Sequence, residues 1–453
     1  MNKKGNGKKK ASLPNKPTTQ KRQAEIKDRL RKNHALNGNN KTICLTMIVR
    51  NEAKNMIRLL DSLKPIIDCA SIVDTGSTDD TIEVIKKWSQ DNNIEIKVHS
   101  EPFRDFGRNR THSFKMAQQS FPNVDYALLS DADFVWEIDV VYKFDKRLLI
   151  DEIYKVEQYN STMKYDNIRL LKMNLDFVCK LRTHEYWRLG DETYRNVAPH
   201  RIIRTLRIND KEDGGCKADK YERDERLLLE DINDPENTKE DVIRAKFYLA
   251  QTYRCLDRYE ESIKWYQERA GDPGWDQEIW YSKFQVGFCY EKWGWKIKYC
   301  KDLLKKTERE KCDDEYLVKW NKDNWSIDDL LKESVKLFAE AAKHYMAAYH
   351  ARPTRAEPIY NCVRMYRQLD DNDMRRKAYD FSIIGKKIPM TTDTLFVESA
   401  CYDYLFDHEI SICAWYFPDL RDEGREALLR LLDRNDLPEK IASQAKKNAC
   451  HYL

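Results

Sequence analysis

The chain lacks an excess of either charge: 80 Lys and Arg face 76 Asp and Glu, for a formal net charge of +4. Nucleic-acid-binding proteins usually carry a basic field, so no nucleic-acid partner is expected. It also lacks an apolar run approaching the ~18 residues of a membrane span. The basic N-terminus has no apolar stretch of the kind a signal peptide needs. The 12 Cys are scattered without CxxC spacing. That argues against a zinc knuckle and predicts reduced, buried thiols in a cytoplasmic protein. What the chain does have is 25 Tyr and 11 Trp among 453 residues. These can build a large core, which excludes collagen-like, low-complexity and wholly disordered readings. At ~100–200 residues per domain, two or three domains are expected.

Residues 1–40 are rich in Lys, Asn and Gly and nearly free of large apolar groups, which predicts a disordered, solvated basic tail. At Thr42 the texture changes. TICLTMIV (42–49) reads as a strand buried on both faces. Met56, Ile57, Leu59, Leu60 and Leu63 follow at helical spacing. ASIVD (70–74) and IEIKVH (94–99) read as strands, separated by the turn TGSTDDT and the helix TIEVIKKW. GRNRTHSFKMAQQ reads as a helix, and DYALLSDAD (125–133) as a fourth strand ending in acids. IRLLKMNLDF (168–177) and HRIIRTLRI (200–208) read as later strands. Alternating strands and helices predict an α/β, Rossmann-like domain with a mainly parallel sheet, expected over 41–235.

From 236 to 453 the strand signals fade and an all-α domain is expected. Residues 245–270 resemble the 34-residue tetratricopeptide helix pair, with further copies at 281–294 and 357–381. A charged insertion is expected near 295–328, and capping helices at the end. One such unit cannot hide its apolar face alone, so the copies should stack into a right-handed array. Trp265, Trp275, Trp280, Trp293 and Trp295 read as core at this spacing.

The chemistry concentrates at strand ends. In Leu128-Leu-Ser-Asp-Ala-Asp-Phe134, Asp131 and Asp133 follow a buried strand, where open α/β sheets bind ligands. Neighbouring carboxylates repel, and a divalent cation bridging them to a phosphate removes that repulsion. They read as a DxD metal–diphosphate site; a bare acidic turn is the bland alternative. Arg50-Asn51-Glu52 follows the first strand and Asp74-Thr-Gly-Ser-Thr-Asp79 the second. Asp74 could accept hydrogen bonds from a nucleoside, while Asp79 or Asp80 caps the next helix.

TMIVRNE, SIVDTGSTDDT, an F-x-x-F-x-x-N element from Phe103 to Asn109 and LSDAD occur in the order seen in family 2 glycosyltransferases, which the chain resembles over 42–230. The resemblance implies a GT-A fold, a nucleotide-diphosphate sugar donor (UDP-linked), Mn²⁺ or Mg²⁺, and inversion at the anomeric carbon. By position it implies that Val49, Asn51, Glu52 and Asp74 contact the nucleoside. Arg108 and Asn109 would approach the diphosphate, Asp131 would lie by the ribose and metal, and Asp133 would bind the metal. Gly107 stands where the family usually has Ala. THEYW (183–187), GGCKADKYERDERLL (214–228), FYLAQTYR (247–254) and RAEPIY (355–360) are similar to markers of a subgroup carrying tetratricopeptide-like helices, found in bacteria, algae and large DNA viruses. The acceptor would be a glycan or a protein side chain, and an oligomer is compatible with repeat surfaces.

Inverting transfer needs a base facing the acceptor hydroxyl and a counter-charge for the leaving diphosphate. Glu185 is the candidate base, with Glu222 and Asp224 as rivals. His184 is the candidate third metal ligand or leaving-group partner. Ordering of the loop beside Trp187 is the alternative role for both. Lys217, Lys220 and Arg223 beside Gly214-Gly215 could close over the diphosphate as a lid, or form a solvated linker. The competing function is an inactive transferase-like scaffold that binds partners through its helices.

Overall fold

The computed structural model describes residues 40–160, 164–190, 201–214, 219–305 and 326–452. The tail expected over 1–40 lies outside the described residues, except for Asn40. The chain divides into two units, Met1–Ala218 and Asp219–Leu453.

In the first unit, β1 (Ile43–Val49), β2 (Cys69–Asp74), β3 (Glu95–Ser100) and β4 (Tyr126–Leu129) alternate with α1 (Ala53–Leu63), α2 (Thr81–Asn92) and α3 (Phe106–Ser120). There follow β5 (Phe134–Ile138), β6 (Ile153–Tyr159), β7 (Lys164–Lys172), the hairpin β8 (Phe177–Lys180) and β9 (Tyr186–Leu189), and β10 (Arg201–Asp210). Eight strands form one sheet of order β3-β2-β1-β4-β7-β6-β10-β5. The first four pair in parallel, as do β6 and β10, while β7 and β5 run antiparallel to their neighbours.

Strand alternation assigns the two faces. Ile43, Leu45, Met47 and Val49 of β1 pack in the core that holds α1 and α2. Cys44 packs on the opposite face with Phe114 and Ala117 of α3, and the Thr46 and Ser113 hydroxyls share a 2.8 Å hydrogen bond. In α1, Met56, Leu59, Leu60 and Leu63 are fully buried. Their i, i+3, i+4, i+7 spacing makes one apolar stripe, and burying each side chain contributes roughly 1.5–3 kcal/mol.

The β8–β9 hairpin packs on α3. Phe114 meets Phe177 at 5.9 Å and Trp187 at 5.7 Å between ring centroids. Phe106 N–H also donates to Arg182 O at 2.9 Å. Gly107 allows this approach. A Cβ there would lie 2.2 Å from Leu181 O and 3.0 Å from Cys179 O. The departure from Ala is therefore a packing requirement of this hairpin.

The second unit is helical. α4 (Lys220–Asn233), α5 (Lys239–Cys255), α6 (Tyr259–Gly271), α7 (Asp276–Lys305) and α8 (Ile327–Ala351) are followed by α9 (Glu357–Gln368) and α10 (Asn372–Gly385). α11 (Ser399–Asp403), α12 (Leu405–Cys413), α13 (Arg421–Leu432) and α14 (Glu439–Tyr452) complete it. The division falls before α4, earlier than the expected 235/236, because Leu228 packs with Ala245, Leu249 and Tyr253.

The expected insertion near 295–328 is corrected at its start. α7 continues to Lys305. Trp295 packs on Phe338 at 4.7 Å, and Ile297 is buried with Leu330 and Leu337. The remainder, 306–325, lies outside the described residues. The segment 281–294 is the middle of this one long helix, whereas 245–270 and 357–381 each cover parts of a helix pair. Trp280 is core, its indole donating to Ala348 O at 2.8 Å, and Trp275 is exposed. No helix among the described residues is long and apolar enough to cross a membrane.

Gly107→Ala should destabilise the first unit by about 1–3 kcal/mol through overpacking against backbone, which cannot rotate away. Denaturant unfolding checks this; a wild-type midpoint would mean that the hairpin does not sit against α3 in solution.

Candidate active site

The loops after β1 and β2 form one interlocked edge. Asn51 takes a left-handed φ of 54°, which Asn tolerates. Its N–H donates to Ser77 Oγ at 2.9 Å, and its Oδ1 accepts from Thr78 N at 2.7 Å. Glu52 N–H donates to Thr81 Oγ1 at 2.8 Å. Asp79 accepts from Thr81 N at 3.1 Å and Ala53 N at 3.2 Å, and so caps the starts of both α2 and α1. Asp74 is buried and accepts from Gly76 N at 3.0 Å and Ser77 N at 3.1 Å. Its carboxylate shapes its own turn. Val49 ends β1, and its carbonyl accepts from Thr75 N at 2.9 Å.

After β3, Arg108 lines a cleft of about 310 Å³ with Glu101, Arg104, Asn109 and His112. The Arg108 side chain is 63% exposed, with its Nε 3.5 Å from Asp105 Oδ2. Asn109 is different. Its Oδ1 accepts from Arg104 N at 2.9 Å and its Nδ2 donates to Pro102 O at 3.2 Å. Its amide is committed to holding the loop before α3.

Asp131 and Asp133 lie between β4, in the middle of the sheet, and β5, at its edge. The two acids meet opposite surroundings. Asp131 Oδ1 accepts from Arg110 Nη2 at 2.6 Å, and Oδ2 accepts from Arg169 Nη1 at 3.4 Å. Burial pushes its pKa up, but Arg110 and Arg169 outweigh burial and the net direction is down. Arg169 continues to Gln158 at 2.6 Å, and Gln158 to Asp210 at 2.9 Å. Asp133 has no ion pair among the described residues. Burial first, then Asp131, Asp210 and Glu52, push it up to about 6. Gly214 passes over it, so near that a Cβ would lie 3.1 Å from Asp133 Oδ2 and 3.3 Å from Glu52 Oε1.

Arg110 has a second partner. Its Nε donates to Glu185 Oε1 at 2.6 Å. One buried guanidinium thus joins Asp131 to Glu185, which lies just before β9. The hairpin turn that delivers Glu185 has positive φ at Leu181 (72°) and His184 (51°). Glu185 therefore sits beside the acidic strand end as well as next to the loop at Trp187. His184 is not gathered with Asp131 and Asp133: among the described residues, no group of three or more His, Cys, Asp or Glu side chains able to hold a metal ion is assembled. The donor set fits a cation held by one carboxylate. Asp131 is already paired with two arginines, whereas Asp133 is crowded by Glu52 and Asp210, and Arg58, the cation that feels its charge, is clamped to Asp213. Mg²⁺-type ions commonly take one or two carboxylates plus substrate phosphates and water.

The lid residues divide. Gly215 and Lys217 lie outside the described residues. Lys220 begins α4, in the helical unit, with Nζ 5.6 Å from the Tyr221 ring centre. Asp224, a rival base, is buried on that helix, and Glu222 lies in its first turn. On the other side, Asp213 is clamped to α1 by Arg58 at 2.6 and 2.8 Å.

The sequence reasoning missed Arg110 and Arg169. Arg110 had a signal: it precedes buried Ser113 and Phe114 by three and four residues, which turns it toward the sheet. Arg169 had none, since its partners come from β4–β5 and β6.

Residues 44–204 match the model of the family described as Glycosyl transferase family 2. The chain is 23% identical over 235 residues to the SPbeta prophage-derived glycosyltransferase SunS of Bacillus subtilis (strain 168), covering 49% of this chain and 51% of that protein. Glycosyltransferase SunS of Bacillus phage SPbeta matches to the same extent. The chain spans about half the length of these curated relatives. Among solved structures, S. aureus TarS is 12% identical with a TM-score of 0.30, over 51% of this chain and 49% of that one. TarS 1-349 in complex with UDP-GlcNAc is 13% identical with a TM-score of 0.28, over 55% and 81%.

The raised pKa of Asp133 carries a stability consequence. The folded protein binds this proton more tightly than the unfolded chain, so the group's contribution is full below 3.8 and lost as pH rises through about 6. In chelator, Asp133→Asn should exceed wild-type stability at about pH 7.5 by on the order of 1–2 kcal/mol, after discounting for partial exposure, with little gain near pH 4. Denaturant melts at both pH values decide it; an equal effect at each would mean that the acids do not crowd Asp133.

Proposed function

We propose that this chain, whose residues 44–204 match the family 2 glycosyl transferase model, moves a sugar from a nucleotide-diphosphate donor to a glycan or protein side chain, with inversion. The observation that carries the reading is the Arg110 bridge, which holds Glu185 beside the acids after β4. Asp74, Asn51 and Glu52 line the edge assigned to the nucleoside, and Arg108 is the exposed cation assigned to the diphosphate. Asp133 would hold Mn²⁺ or Mg²⁺ together with the donor's phosphate oxygens, and the ion would supply positive charge to the departing diphosphate.

Only Oε1 of Glu185 is engaged by Arg110. Oε2 is the atom left to accept the proton of an acceptor hydroxyl. As that proton moves, the acceptor oxygen bonds to the anomeric carbon from the side opposite the diphosphate. The carbon–oxygen bond to the diphosphate breaks, and its electron pair leaves with the phosphate. A single displacement of this kind inverts the anomeric carbon. Arg110 keeps the Glu185 side chain in position throughout.

A thermal-shift panel of nucleotide-sugars, led by UDP-linked donors with and without Mn²⁺, tests the donor. The matching donor should stabilise by about 2.7 kcal/mol at a hundredfold excess over Kd, and Asp133→Asn should lose the metal-dependent part. Absence of any shift in a folded sample would favour the inactive-scaffold reading.

Glu185→Gln should keep the donor-induced shift and lower kcat by roughly 10²–10⁴, the usual contribution of a general base. Wild-type turnover in that variant would transfer the base role elsewhere.

A further inference from the structure

The helical unit contains a cavity that the transferase chemistry does not use. It measures about 500 Å³, within the ~300–1,000 Å³ of small-ligand pockets. His408 of α12, Asn448 of α14, Trp415 and Tyr416 of the turn between α12 and α13, and Tyr452 are among its lining residues.

Two polar side chains in its wall are incomplete. His408 is 8% exposed, and neither ring nitrogen has a hydrogen-bond partner. Nδ1 lies 3.9 Å from Glu409 Oε1, too far for a hydrogen bond. Asn448 is 9% exposed; its Oδ1 accepts from Gln444 at 2.7 Å, but its Nδ2 is buried without a partner. Buried polar atoms left unmatched cost stability, and such atoms facing a cavity call for a ligand or ordered water.

The surroundings define the ligand's chemistry. The cation in the wall, Arg367, is already paired with Glu409 through two hydrogen bonds, one from Nε and one of 3.2 Å from Nη2. Arg375, on the Tyr416 ring at 4.1 Å, is likewise paired, with Asp370, and Arg421 lies on the Trp415 ring at 4.5 Å and donates to Trp415 O at 3.2 Å, so the cations around the cavity are already engaged. The two open ring nitrogens of His408 offer hydrogen-bond sites, and the Asn448 amide adds a donor. Hydroxyl groups both donate and accept, so one hydroxylated face can satisfy all three atoms. Aromatic rings beside those polar atoms suit the C–H face of a sugar ring.

We propose that this cavity is a binding site for a neutral saccharide, carried by the helical unit and separate from the donor site. The proposal does not depend on the transferase reading, because its residues belong wholly to α9–α14 and the segments between them.

The full-length chain should be titrated by calorimetry with uncharged methyl glycosides and neutral disaccharides, and in parallel with inorganic phosphate and acetate. Binding of a saccharide, but of neither anion, is expected. His408→Leu should weaken it at least tenfold while raising the melting temperature, because the substitution removes unsatisfied buried nitrogens. Tyr416→Ala, at a position 47% exposed, guards against misfolding and should weaken binding several-fold with an unchanged melt. Binding of the anions alone, binding unaffected by both substitutions, or no saccharide binding would each overturn the proposal; the last two would mean that water completes these atoms. A nucleotide-sugar thermal shift measured on the same variants separates failure here from failure of the donor site, since it should not change.

Discussion

The guanidinium of Arg110, shared between Asp131 and Glu185, is the constraint on which the first unit's chemistry depends. These two carboxylates come from segments far apart in sequence, and the cation between them offsets their mutual repulsion. That cation lies on α3, so α3 must approach both the end of β4 and the β8–β9 hairpin. Asp105 fixes where α3 starts by accepting from Arg108 N at 2.7 Å. Gly107 removes the Cβ that would strike Leu181 O. Phe114, between Phe177 and Trp187, holds the hairpin down. Packing residues thus set the position of a candidate base. Removing Arg110 would leave Asp131 and Glu185, both only partly exposed, without the cation between them.

The two acids of the Asp-Ala-Asp turn divide the work through their surroundings. Asp131 is satisfied by protein cations and acts as an anchor. Asp133 shares its space with Glu52 and Asp210 and forms no ion pair among the described residues. A fold selected only for stability would place a cation here or remove an acid. Carboxylates crowded at a strand end, with a bound polar network on one side only, are the pattern of a site whose missing charge arrives from solution.

Backbone-level features were legible in the sequence because they rest on local periodicity. The apolar runs at 43–49 and 69–74 became the central strands, and the acids at 131 and 133 fell at a strand end. The sheet's second half was harder to read. Gln158, Arg169 and Asp210 come from β6, β7 and β10, and no spacing rule links them before the strands pair. Charge and irregular spacing marked 295–328 as an insertion; its first residues continue a long helix, with Trp295 and Ile297 turned inward, and the solvated face of such a helix is expected to be charged. The boundary was expected where the strand signals fade; α4 precedes that point, and its Leu228 packs with Ala245 and Leu249 of α5.

Both units share one physical signature at the places assigned function. Glu291 shows a matched case: it takes Tyr345, Arg364 and Trp295, tying α7 to α8 and α9. Buried atoms of Ser71 and Tyr266 also lack hydrogen-bond partners, but Asp133, crowded by acids at a strand end, and His408, with neither ring nitrogen hydrogen-bonded, are unfinished where there is a loop edge or a cavity to fill. The two are unfinished in different senses. Asp133 lacks positive charge, which suits an ion and a diphosphate. His408 and Asn448 lack only neutral hydrogen-bond partners, which suits hydroxyls. The two sets of residues share no member: Asp133 belongs to the first unit, and His408 and Asn448 to the helical one.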